Sequence, residues 1–303
     1  MGRQHHRIET VKGRTYTVID ILSEKNGTRL KVSFEGKFFT LLILPEGPET
    51  WQHVLALDRL SEDNRNYPRV IDRERRNGEI RLVTSWIEGY TLRWYLERGR
   101  ERPEEWPSVS NTVKLIRGLA HALYLAHHRD NLVHIDLKPA NLVLARNFDR
   151  LVLIDFGSAL TAEAATKRVE GDGASLAYAA PEIWTQTPNF QADLFSVSVI
   201  AFEMLTGRLP FDGLGGKIGH PDFMPETVPT PERPSTIFKH PGNYPKSFRR
   251  SVDSAIMTGL MVNREKRFPA PEEFRNAWNR VSNDLNNPWT LRFINELSRW
   301  FRK

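Results

Sequence analysis

Two aspartates, a lysine and an asparagine stand close together in this chain, and they constrain its fold and chemistry more than any other feature. They lie in His134-Ile135-Asp136-Leu137-Lys138-Pro139-Ala140-Asn141, which is followed by the apolar runs Leu142–Leu144 and Leu151–Ile154 and then by Asp155-Phe156-Gly157. The apolar runs read as short strands. Phosphoryl transfer is mostly positioning and charge neutralisation, so it needs oxygen ligands for a metal, a carboxylate at the attacking hydroxyl and a cation on the moving phosphate. Asp155 and Asn141 are the candidate metal ligands. Asp136 is the candidate for orienting the hydroxyl and taking its proton, and Lys138 for neutralising the transferred group.

The surrounding chain changes character near Gly89. Before it, Thr15–Ile21, Arg29–Phe34 and Lys37–Leu44 alternate as strands, with Glu35-Gly36 as a two-residue hairpin turn between the last two. Pro48 opens a helical pattern carrying Trp51, Val54, Leu55 and Leu57 to about Glu62, and strand-like runs return around Arg69–Arg73 and Ile80–Ser85. After it, Asn111–His128 is apolar at helical spacing, and Gln191–Leu205 is apolar all round, as a buried helix is. Residues 213–246 are rich in glycine and proline and read as loop, while Ser247–Met261 and Pro271–Leu285 are helical. A sheet with one helix, followed by helices, predicts an α+β chain of two lobes, over 10–87 and 88–283, with a tail over 284–303.

Composition excludes several chemistries. The chain has no cysteine, which removes disulfides, thiolate catalysis and cysteine metal sites, and fits a reducing cytoplasm. No apolar run approaches the roughly 18 residues of a membrane span. MGRQHHRIE lacks the apolar core of a secretory signal, and His6 breaks the myristoylation pattern. The formal net charge of +6 is spread through mixed runs such as Asp72-Arg73-Glu74-Arg75-Arg76 without interleaved aromatics. It reads as a solvated surface and not as a nucleic-acid interface.

The polar cluster resembles the catalytic loop and metal-binding motif of the protein-kinase superfamily, and Lys138 resembles its serine/threonine branch. The likeness continues in Ala180-Pro181-Glu182, in Ser175 at the substrate-facing position of the activation segment, and in Asp193 and Arg267 at structural anchor positions. Leu82–Leu92 resembles the stretch through the gatekeeper and hinge, with Thr84 as gatekeeper and Trp86 beside the nucleotide base. The resemblance implies a bilobal kinase fold, ATP and Mg²⁺ as cofactors, and a protein substrate or protein partner.

The nucleotide-clamping part departs from the family. Ser23-Glu24-Lys25-Asn26-Gly27-Thr28 has a single glycine where a glycine-rich loop belongs, and Thr40-Leu41-Leu42-Ile43 puts Leu42 where the family has its lysine. No glutamate stands mid-helix to pair with such a lysine, since Glu49 lies in the first turn. Ile135 replaces the arginine that docks a phosphorylated activation loop. If Glu35-Gly36 makes a tight turn, Arg29 pairs with Leu42 and Lys31 with Thr40 on one sheet face. A cation from that strand then reaches the phosphates, as in the with-no-lysine kinases; otherwise Arg29 and Lys31 are solvent-facing strand residues.

Three functions follow from this pattern. The first is an atypical serine/threonine protein kinase. The second is a pseudokinase acting as a nucleotide-binding or nucleotide-free scaffold. The third is a small-molecule kinase, against which Asp155-Phe156-Gly157 and Ala180-Pro181-Glu182 argue. The tail 288–303 places Trp289, Phe293, Ile294, Leu297, Trp300 and Phe301 near one helical face with arginines elsewhere, an amphipathic pattern suited to a membrane interface, a partner groove or its own lobe.

Overall fold

A computed structural model describes residues 7–24, 27–47, 50–155, 176–185, 187–223 and 227–286. Pro48, Glu49, Phe156-Gly157, the polar stretch 161–175 with Ser175, and the tail 288–303 lie outside the described residues. The first part of the chain is a six-stranded antiparallel sheet in the order β1-β2-β3-β4-β6-β5. The strands are β1 (Ile8–Val11), β2 (Arg14–Ser23), β3 (Thr28–Phe34), β4 (Lys37–Pro45), β5 (Val70–Arg76) and β6 (Glu79–Ser85). One helix, α1 (Thr50–Asp63), packs against them. Strand β1 is too short and polar to show in the alternation pattern; its pairing with β2 extends the sheet to Ile8.

The β3–β4 hairpin has the expected register. Phe34 pairs with Lys37, and Glu35 and Gly36 take φ values of 48° and 74°, the positive pair that a tight two-residue hairpin requires. Arg29 therefore faces Leu42, and Lys31 faces Thr40. Across the next ladder Leu42 pairs with Leu82 and Thr40 with Thr84. Paired residues share a face, so Arg29, Lys31, Thr40, Leu42, Leu82 and Thr84 all lie on the side of the sheet that covers the cleft. The opposite side curls on itself around Val11, Tyr16, Leu30, Val32, Leu41 and Val83, all fully buried. Polar ties draw the sheet's two ends together: Arg14 Nη1 donates to Asp72 Oδ2 at 2.6 Å, Tyr16 Oη to the same oxygen at 3.0 Å, and Arg81 Nη1 to Glu9 Oε2 at 3.0 Å.

The second lobe is helical: α2 (Leu92–Glu101), α3 (Val109–Asp130), α4 (Phe190–Thr206), α5 (Lys246–Gly259) and α6 (Pro271–Leu285). Thr91, Ser108 and Asn189 cap the starts of α2, α3 and α4 by accepting from Trp94, Asn111 and Gln191 N–H groups. Helix α4 runs through the middle and is buried on every side from Ala192 onward. A three-stranded sheet of β7 (Gly89–Thr91), β8 (Leu142–Ala145) and β9 (Leu151–Leu153) floors the cleft between the lobes. Among the described residues no helix is long and apolar enough to cross a membrane.

Candidate active site

The segment His134–Asn141 leaves the end of α3 and must present polar side chains to the cleft while its backbone stays buried. Asp193, fully buried on α4, makes this possible. Its Oδ2 accepts from the His134 N–H at 2.8 Å and lies 2.8 Å from His127 Nε2, and its Oδ1 accepts from the Ile135 N–H at 2.8 Å. The carboxylate thus satisfies two backbone donors that would otherwise be orphaned. It also holds Ile135 at a φ of 68°, a conformation that costs a β-branched residue energy. The bend turns Asp136 toward the cleft.

The four sequence-predicted polar residues form two linked groups there. Asp136 Oδ2 accepts from Asn141 Nδ2 at 2.9 Å and lies 3.0 Å from Lys138 Nζ. The same Asn141 nitrogen donates to the Asp136 carbonyl at 2.9 Å. This commits the amide nitrogen, so Oδ1 is the atom left to a cation. The Ile154 N–H donates to the Asn141 carbonyl at 3.0 Å, which ties the loop to the stretch bearing Asp155. Asp155 Oδ2 lies 2.9 Å from Arg29 Nη1. An Asn141 oxygen and the Asp155 carboxylate suit Mg²⁺, which keeps several waters, binds through one or two carboxylates and takes its remaining ligands from phosphates.

Arg29 enters this cluster from the sheet above, with only 17% of its side chain exposed. Its Nε and Nη1 are buried without an aligned hydrogen-bond acceptor among the described residues. Unused donors of a buried guanidinium beside a metal-type carboxylate fit a phosphate, which accepts from a planar fork. Leu42 stands opposite Arg29, and Leu57 on α1 lines the same inner pocket with Thr40, Pro68, Leu82, Thr84 and Ile154. An apolar Leu42 and Leu57 wall thus occupies the ground where a lysine and a helix glutamate would meet. The helical pattern marks Leu57 only as a core residue; its place on the cleft appears once α1 is docked.

Lys31 lies against two rings. Its Nζ lies 4.3 Å from the centre of the Phe38 ring and 4.5 Å from that of Trp86, the residue just beyond β6 on the link between the lobes. Thr84 is buried at the back of the inner pocket. The sole glycine of the β2–β3 turn, Gly27, has a φ of 107°, and a Cβ there would come within 2.7 Å of the Ile43 carbonyl oxygen. Packing of the turn on β4 therefore explains this glycine.

A second pocket adjoins Lys138. It is lined by Arg93, Glu97, Arg100, Ala177, Tyr178 and Glu203, among others. Burial pushes the Glu203 carboxyl up from its ordinary value, although Tyr178 Oη donates to Oε2 at 2.7 Å and Arg100 pairs with Oε1. The Tyr178 hydroxyl is likewise pushed up, first by burial and then by Glu203. No local pattern marks this cluster, because its members come from α2, the stretch at Ala177-Tyr178 and α4. Further in, Arg267 donates to both oxygens of Glu182, at 2.6 and 2.8 Å, wholly out of solvent. Those two residues are the structural pair that the resemblance implied.

Residues 53–279 match the protein kinase domain family. The match begins after the strands that carry Arg29 and Leu42. Among curated relatives, the serine/threonine-protein kinase ATG1c of Arabidopsis thaliana is 31% identical over 187 residues, 55% of this chain and 25% of that protein. The probable serine/threonine-protein kinase pknA2 of Bifidobacterium longum is 33% identical over 176 residues, 56% of this chain and 22% of that protein. A putative serine/threonine-protein kinase of Mycoplasma genitalium is 30% identical over 154 residues, 45% of this chain and 38% of that protein. The alignments thus span well under half the length of each of these relatives. The matched residues take in most of the chain and include Asp136, Lys138, Asn141, Asp155 and the Glu182–Arg267 pair, and on that ground the chain belongs to the protein kinase family.

Proposed function

We propose that the chain is an atypical serine/threonine protein kinase in which Arg29 on β3 supplies the phosphate-clamping cation that Leu42 cannot. The observation that carries this reading is the Arg29–Asp155 contact, which sets a mostly buried guanidinium, its Nε without an acceptor among the described residues, against the candidate metal carboxylate. Mg²⁺, when bound, neutralises charge on the phosphates. Asn141 Oδ1 and the Asp155 carboxylate would hold it. Arg29 then turns its fork from Asp155 to the phosphate oxygens of ATP. Asp136, held between Lys138 and Asn141, orients a substrate hydroxyl and takes its proton as the hydroxyl oxygen bonds to the γ-phosphorus. The bond from that phosphorus to the bridging oxygen breaks, and Lys138 stabilises charge on the transferred group. Thr84 and Trp86 flank the base end of the cleft. The pocket beside Lys138 receives a side chain of the protein substrate.

The apolar inner wall of Leu42 and Leu57 favours a second reading, a pseudokinase that serves as an interaction scaffold. Transfer of label from γ-³²P-ATP to a general protein substrate, compared between wild type and Asp136→Ala, separates the two. The kinase reading expects incorporation that falls at least about 10²-fold in the variant. Incorporation absent from wild type, or indifferent to Asp136, leaves the scaffold.

A further inference from the structure

The cleft side of the sheet is ordered in cross-strand rows. The inner row is Arg29, Leu42 and Leu82, and the middle row is Lys31, Thr40 and Thr84. Phe38 lies in the outer row, paired with Ser33. Trp86 follows Ser85, the partner of Phe39, and so continues the ladder on the Phe38 side. Successive rows are two residues apart, about 7 Å along the strand. The inner row meets Asp155, whereas the middle row carries a second cation that no carboxylate among the described residues pairs with in an ion bridge. Lys31 instead sets its ammonium against two aromatic faces, one from β4 and one from the link between the lobes. Phe38 is 43% exposed, so this cluster sits at the mouth of the cleft and Arg29 at its depth.

Under the ATP reading above, phosphates occupy the deep, charged end and the base occupies the end near Thr84 and Trp86. We infer that Lys31, Phe38 and Trp86 form a cation–π latch across the base end of the cleft, which must open for the aromatic base of a purine nucleotide to enter. The latch joins the sheet to the inter-lobe link. A flat base needs the ring faces that the Lys31 ammonium now covers. Each binding event therefore breaks the two ring contacts. A ligand made only of phosphates uses Arg29 and Asp155 and leaves the latch closed.

This separates two roles for Lys31, a latch and a second phosphate cation. Equilibrium binding of Mg²⁺–ATP and of Mg²⁺–tripolyphosphate is measured on wild type, Lys31→Met and Phe38→Leu, with thermal unfolding as the check on folding. Exposed to partly desolvated cation–π contacts correspond to roughly two- to five-fold in an equilibrium constant. Both variants are expected to bind ATP tighter by about that factor and tripolyphosphate with unchanged affinity. ATP, and not tripolyphosphate, is expected to change the tryptophan fluorescence of wild type, and this change is lost in Trp86→Phe. Weaker binding of both ligands to Lys31→Met makes Lys31 a phosphate ligand and overturns the latch. Unchanged ATP affinity in both variants also overturns it. If wild type binds neither ligand, the nucleotide reading itself fails and the latch fails with it.

Discussion

Cross-strand neighbours lie about 5 Å apart, and an arginine side chain is longer than that. A cation rooted on β3 therefore reaches the same point in the cleft as one rooted opposite it on β4. Leu42 and Arg29 are such a pair, so the strand of origin can change while the position of the charge is kept. Under the proposed function, replacing Arg29 with Met removes the cation that faces the phosphates, and kcat/KM should fall about 10²–10³-fold, as loss of one transition-state stabiliser does. Adding Leu42→Lys to that variant returns a cation to the same volume, and steady-state kinetics should show recovery of at least about tenfold. Leu42→Lys alone sets two like charges face to face on neighbouring strands and should lower the melting temperature. Failure of the double variant to recover would mean that Arg29 does more than supply charge.

Helix α4 is the internal frame on which the site is assembled. Being apolar all round, it could have been a plain core helix, yet it carries two buried carboxylates, Asp193 and Glu203. Asp193 accepts from two loop amides and faces His127. Asp193→Ala strands these donors in the interior and should cost about 3 kcal/mol or more, read by chemical denaturation, with faster hydrogen exchange at His134 and Ile135. Asp193→Asn keeps an acceptor and should cost less. Glu203 acts on stability through its proton, because burial raises its pKa above the unfolded value. As pH rises from the ordinary carboxylate value toward the folded one, the unfolded chain releases this proton first, and stability falls through that window. Glu203→Gln should remove this part of the pH dependence; the check is a series of melting temperatures from pH 4 upward, which should be flatter in the variant. Most of α4 was legible in the sequence, since an unbroken apolar helix has few alternatives to burial. Its polar partners were not: Tyr178 and Arg100 meet Glu203 only through tertiary packing.

At the scale of the whole molecule, the lobes are joined behind the cleft by specific polar ties. Arg59 Nε donates to Asp130 at 3.1 Å, Arg129 to Asp63 at 2.9 Å, Tyr67 Oη to the Ala122 carbonyl at 2.8 Å, and Asn66 Nδ2 to the Leu151 carbonyl at 2.6 Å. These contacts and the Leu42–Leu57 wall hold α1, and among the described residues no ion pair joins α1 to β4. The two-lobe plan was readable because alternation, helical periodicity and the Glu35-Gly36 turn all act locally. The β3–β4 register followed from the turn alone, and with it the facing of Arg29 and Leu42. What escaped was set by long-range closure: strand β1, the Asp72 ties that curl the sheet, and the turning of Lys31 toward Trp86. The placement of Arg29 has one further, mechanical consequence. Both strands are bonded on both sides, but Arg29 is the second residue of β3, beside the turn at Gly27, whereas Leu42 lies well inside β4. Under the proposed function, the phosphate-clamping cation is thus rooted beside a turn, and a cation at position 42 would instead stand in mid-strand. On that reading, any displacement of the turn carries the charge with it, so the grip on the phosphates depends on how firmly the strand end is held, whereas a cation in mid-strand would be fixed by the whole ladder.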